Sequence, residues 1–86
     1  MERVEKIKNI LVQDFEPTKL EIFDESHLHA GHEGAKSGKG HFRVAIQSMK
    51  FVGQSEIKRH KMVYRALENL FKTDIHALSL ETKTPE

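Results

Sequence analysis

Residues 41–48, HFRVAIQS, place large apolar side chains at every second position from 42 to 46. Phe42, Val44 and Ile46 fall on one side, so the stretch predicts a strand with one buried face. A strand of this kind needs partners along both edges and a cover over its apolar side. What the other 78 residues supply is therefore tightly limited. Residues 2–14 carry Val4, Ile7 and Leu11 at helical spacing, with Ile10 beside them and charges elsewhere, which predicts an amphipathic helix. Pro17 prevents its simple continuation. Residues 19–24, KLEIFD, alternate around Leu20 and Ile22 and predict a second strand. Ser55 is placed to cap a helix over 56–72, with Ile57, Tyr64, Leu67, Leu70 and Phe71 as its apolar face and Val63 alongside. Residues 75–82, IHALSLET, predict the last strand, and KTPE at 83–86 a mobile tail.

The expected order is α-β-β-α-β. Two adjacent strands can pair antiparallel, whereas a strand reached across a long helix returns parallel. The expectation is thus one α+β domain over 1–82: a three-stranded mixed sheet with its helices packed on one face. At 86 residues the chain has room for one compact core and little room for a deep pocket. No apolar run exceeds three residues, which excludes a membrane span.

Between the first two strands lie residues 25–40, with four glycines and three histidines, His27, His29 and His32. This is long for a link between neighbouring strands, and long loops in compact domains tend to serve function. Imidazole binds iron, zinc, copper and nickel. H-x-H-x-x-H matches no structural zinc pattern, however, and solvated loop histidines are the simpler reading. His76 shares a face with Leu78 and Leu80 by strict alternation, which suggests a half-buried packing role. It also opens its strand, so it can instead sit at the sheet's rim, near where the loop ends. His41 and His60 read as structural support.

The chain has no cysteine, which removes disulfides, thiolate nucleophiles and any thiolate metal site of its own. Asp24, Glu25, Ser26 and His27 are sequence neighbours. In an extended strand neighbours point to opposite faces, so no catalytic triad follows from them, and the chain is not expected to be an enzyme. Net charge is +1, but residues 50–72 carry +4 and the remainder −3. Lys58, Lys61 and Arg65 fall at i, i+3 and i+7 as one positive stripe, with Arg59 at its margin. Such a stripe suits phosphate contacts or partner docking.

LEIFDESHLHAGH (20–32), GHFRVAIQSMKFVGQS (40–55), KRHKMVYRALENL (58–70) and IHALSLETKTPE (75–86) together resemble the BolA family over nearly the whole chain. The resemblance implies a KH-like fold of class II type. It also implies a monothiol glutaredoxin as partner, with a [2Fe–2S] cluster shared between the two proteins and glutathione, and none held by the isolated chain. The ligands implied on this side are the histidine of the H-A-L motif, His76, and a loop residue matching His29, with His32 the alternate. BolA proteins are also described as transcriptional regulators, which implies DNA as a second partner through the helix at 56–72 and the preceding turn. The G-x-x-G loop of true KH domains is absent, since 53–56 read GQSE. The expected compartment is the bacterial cytoplasm or the mitochondrial matrix, and the free chain is expected to be a monomer or weak homodimer.

Overall fold

A computed structural model describes residues 2–26 and 39–85. Helix α1 is Glu2–Phe15, strand β1 Lys19–Asp24 and strand β2 Gly40–Gln47. A 3₁₀ turn at Met49–Phe51 leads to α2, Glu56–Ala66. The short helix α3, Leu70–Thr73, precedes strand β3, Ile75–Lys83. The sheet order is β1-β2-β3, antiparallel between the first two and parallel between the last two, so β2 is central as its alternation requires. The expected α+β architecture is the observed one.

Phe42, Val44 and Ile46 are buried beneath Ile7, Leu11 and Phe15 of α1 and Val63 and Leu67 of the second helical segment. The α1 residues recur every four positions, so one stripe of the helix meets one face of the sheet. The other sheet face carries Lys19, Glu21 and Phe23 beside Arg43 and Ala45. α1 stops at Phe15 because Glu16 takes a left-handed φ of 46° ahead of Pro17, while its N–H still reaches the Val12 carbonyl at 3.0 Å.

Helix α2 differs from the sequence expectation in two ways. It ends at Ala66 rather than running to residue 72. From Leu67 the chain tightens, with Glu68 N–H donating to the Arg65 carbonyl and Leu70 N–H to that of Leu67. Asn69, a poor interior helix residue, lies in this turn. Leu70 and Phe71 are thereby brought back onto the core that Leu67 already fills. Its phase is also rotated from the expected one. Val63 is fully buried, and Met62 and Ala66 pack against the core. Ile57, in the first turn of the helix, is 71% exposed. Tyr64 is 40% exposed, its ring against Phe71 at 5.3 Å and its hydroxyl donating to the Leu78 carbonyl at 3.0 Å. Ser55 caps α2 as expected, its hydroxyl accepting from Lys58 N–H at 3.2 Å. Strand β3 runs one residue beyond the expected boundary, and the Lys83 carbonyl takes the Ser48 N–H.

Candidate metal centre

The pairing of β2 with β3 slips at one point. Adjacent Gly40 and His41 pair with Ile75 and Ala77, which leaves His76 as an extra residue between them. A bulge of this kind re-aims the side chain it carries and inverts the alternation beyond it. Ile75 is buried, and Leu78, Leu80 and Thr82 lie opposite Phe42, Val44 and Ile46 on the covered face. His76 therefore does not share a face with Leu78 and Leu80, as plain alternation suggests. It is exposed at the rim of the sheet. Its ring lies 5.1 Å from that of half-buried His41, centroid to centroid, at an interplanar angle of 43°.

The start of the long loop is fastened to the same spot. Glu25 N–H donates to the His41 carbonyl at 2.8 Å, and His41 N–H donates to the Ser26 hydroxyl at 3.1 Å. Ser26 N–H in turn donates to Asp24 Oδ1 at 3.0 Å, a local turn that fixes the chain's exit. Gly40 is required here. A Cβ on it would meet Ser26 Oγ at 2.6 Å and the Phe42 ring at 2.8 Å. The end of the loop is fastened as well: Lys39 Nζ donates to the Phe71 carbonyl at 3.0 Å, and Gly40 N–H to that of Asp74 at 2.9 Å.

Asp74 anchors the approach to His76. Its buried carboxylate takes the Thr73 hydroxyl, pairs with Lys6 at 3.2 Å and lies 3.7 Å from Arg3. The Thr73 hydrogen bond holds its carboxyl below the ordinary value, helped by the Lys6 hydrogen bond and the charges of Lys6 and Arg3, against the opposing effect of burial. Next to His41, Arg43 stacks over the Phe23 ring at 4.3 Å and donates to Glu25 Oε2 at 3.1 Å. Two imidazoles thus stand together on a braced rim, one of them open to solvent, where nitrogen can be donated to a metal brought from outside.

His27, His29 and His32 lie outside the described residues. Among the described residues no group of three or more His, Cys, Asp or Glu side chains is arranged to hold a metal. His60 is half-buried on α2, its Nε2 4.0 Å from Glu56 Oε2. Lys58, Lys61 and Arg65 are all exposed on α2, as the stripe requires. Arg59 departs from that stripe. Its guanidinium is turned inward, Nε donating to the Gln54 carbonyl at 2.9 Å and Nη1 to that of Thr82 at 3.4 Å. Tyr64 packs its ring against Phe71 and commits its hydroxyl to the Leu78 carbonyl.

Sequence reasoning missed Ser26, Gly40 and Asp74. Gly40 left a signal, since a glycine directly before an alternating strand marks a close approach. Asp74 left none, because its partner Lys6 is 68 residues away.

The described helices include none long and apolar enough to cross a membrane. What the fold and rim define is a small α+β domain with an exposed, braced histidine. The family model of the BolA-like proteins matches residues 11–86, and the chain belongs to that family. It is 41% identical to Protein BOLA1, chloroplastic, of Arabidopsis thaliana, over 96% of this chain and 54% of that one. It is 39% identical to the DNA-binding transcriptional regulator BolA of Escherichia coli, over 93% of this chain and 73% of that one. The chain spans about half the length of the first of these relatives, and 23% of SufE-like protein 1 of Arabidopsis thaliana, which it matches at 38% identity. The solved BolA domain of SufE1 from Arabidopsis thaliana superposes with a TM-score of 0.87 at 37% identity, covering 99% of this chain and 94% of that one.

Proposed function

We propose that this protein is a non-enzymatic adaptor that binds a monothiol glutaredoxin and co-ligates a shared [2Fe–2S] cluster through His76 and His29, with His32 the alternate loop ligand. One observation carries the reading: the bulge frees His76 at the rim where the long loop is fastened. Ser26 bonds His41, His41 lies against His76, and His29 follows Ser26 by three residues. A ligand three residues past Ser26 has a chain span of at most about 11 Å in which to reach this rim. A chain without cysteine leaves the thiolates to the partner and to glutathione. Two imidazoles on one iron make a Rieske-like centre, whose potential lies above that of an all-thiolate cluster. His41 then acts as a positioning residue behind His76.

The test is to mix the protein with a cluster-loaded monothiol glutaredoxin and record visible absorption and circular dichroism. A new hetero-complex spectrum is expected, altered when His76 becomes alanine. An unaltered glutaredoxin spectrum on mixing rejects the adaptor.

A second reading has its own support. Lys58, Lys61 and Arg65 are exposed together on α2, and the Escherichia coli relative is named a DNA-binding transcriptional regulator. Under this reading the protein grips DNA phosphates through α2 and the turn before it. Replacing the three residues together should then flatten the salt dependence of duplex binding by about three units. An unchanged slope removes this reading and leaves the adaptor intact.

A further inference from the structure

We infer that the outer edge of β1 is a self-association surface, where a second copy of this chain adds its own β1 antiparallel to form a continuous six-stranded sheet. The inference rests on neither the histidines nor the basic stripe.

The sheet has two outer edges, and the fold treats them differently. Along β3, the Tyr64 hydroxyl donates to the Leu78 carbonyl and the Arg59 guanidinium to that of Thr82. Both carbonyls point away from β2, so these two side chains of α2 guard that edge against strand addition. Along β1 the Glu25 N–H to His41 carbonyl bond fixes the parity: odd residues turn their main-chain groups toward β2, and even residues turn theirs outward. Among the described residues, no hydrogen bond outside the ladder reaches the main chain of Leu20 or Ile22. Beside them runs a groove between α1 and β1, its apolar lining including Val4, Val12, Pro17, Leu20 and Ile22. Val12 is 45% exposed in it.

An antiparallel neighbour must place even residues opposite even residues. Four two-fold registers satisfy this within the strand's reach, and three fail on charge or backbone. Centring on Glu21 sets it against the partner's Glu21, and centring on Phe23 sets Glu21 against the partner's Glu25. Like charges directly opposite are destabilising. Centring on Leu20 sets Lys19 against the partner's Glu21, but its ladder must run through Thr18, whose N–H is already donated to the Gln47 carbonyl at 2.8 Å. Centring on Ile22 sets Lys19 against the partner's Glu25 and Glu21 against the partner's Phe23. One register thus satisfies charge and backbone together, and it pairs the segment with itself, which argues for a second copy over a foreign strand. Because β3 is guarded, a β1 edge cannot add to it head-to-tail, and the association closes as a two-fold dimer.

The absence of native cysteine makes the test direct. Glu21→Cys and Phe23→Cys proteins are mixed in a glutathione redox buffer, with Glu68→Cys as an exposed reference on the turn before α3. The mixed Glu21→Cys/Phe23→Cys disulfide should outrun either homodisulfide and the reference by at least roughly tenfold, as expected for a directly opposed pair. Sedimentation equilibrium of the unaltered chain should show a dimer growing with concentration, and Lys19→Glu should weaken it roughly tenfold through two repelling contacts per dimer. A dominant Glu21→Cys homodisulfide overturns the register. Cross-linking no faster than the reference, or a monomer at every concentration to about 1 mM, overturns the dimer; the sedimentation result stands even if a cysteine variant fails to fold.

Discussion

The two ends of the sheet are built from the same kinds of residue and finished differently. At the far end, where β2 leaves the sheet, Ser48 is fully buried and all its polar groups are used. Its N–H meets the Lys83 carbonyl, and its hydroxyl donates to the Phe15 carbonyl at 2.6 Å and accepts from Lys50 N–H at 3.1 Å. Phe51 follows with no exposed surface, 5.3 Å from Phe15. At the near end Ser26, Gly40 and Asp74 do comparable bracing, but the ladder slips and leaves His76 outside. One end spends its groups on closure; the other is held rigid around a side chain that the fold does not use. Side chains that contribute to stability and those free for chemistry are thereby separated along one strand pair.

The largest effect should come from the closed end. Phe51→Ala removes a fully buried ring and is expected to cost about 3–5 kcal/mol. That is a large part of the roughly 4–13 kcal/mol available to a domain this size. Urea denaturation should show the loss, and Phe51→Leu should recover most of it. A cost below about 1 kcal/mol would mean this end is not the tightly packed one.

Ser48→Ala comes next. It strips a partner from the Phe15 carbonyl and the Lys50 N–H, one of them buried, for about 1–3 kcal/mol. The same urea series measures it, with α1 expected to fray first, since Ser48 is what ties the end of α1 to the sheet.

At the near end Asp74→Asn is expected to cost about 1–2 kcal/mol, because Lys6 and Arg3 are themselves partly exposed and solvent weakens their pull. The sign with pH follows from the direction of the shift. The folded carboxyl is held below its ordinary value, so its contribution is complete above about pH 4 and fades as pH falls through the folded pKa. Parent and variant should therefore differ at neutral pH and converge in acid. A gap that widens toward low pH would contradict the stated ion pairing.

How much of this could be read from the chain itself depends on what sets each feature. Phe42, Val44 and Ile46 announced the central strand because alternation is a local property of one segment. The buried stripe of α1 was visible through Ile7 and Leu11 for the same reason, and Phe15 extends it by one more step of four. The phase of α2 was not visible. Ile57 and Tyr64 are apolar at helical spacing, yet both are exposed, and Val63 and Leu67 fill the core instead. Arg59 and Lys58 are adjacent cations, and only the carbonyls of Gln54 and Thr82 distinguish the clamp from the stripe. His76 is the sharpest case. A bulge belongs to a pair of strands, so no inspection of IHALSLET alone reveals that alternation fails at its second residue.

The smallest stability effect should fall on the residue to which the proposed function assigns most. His76 is exposed, and its ring touches His41 and fills no part of the core. His76→Ala should accordingly change unfolding free energy by no more than about 0.5 kcal/mol, the usual range for surface positions. The same variant should lose the hetero-complex spectrum with cluster-loaded glutaredoxin. His41→Ala sharpens the contrast. As a positioning residue it should weaken that spectrum without abolishing it, and it should cost more stability than His76→Ala because its ring is half-buried. If His76→Ala instead destabilises the fold by 2 kcal/mol or more, the bulge is a packing device, and the division between a closed end and an available one fails where it was drawn.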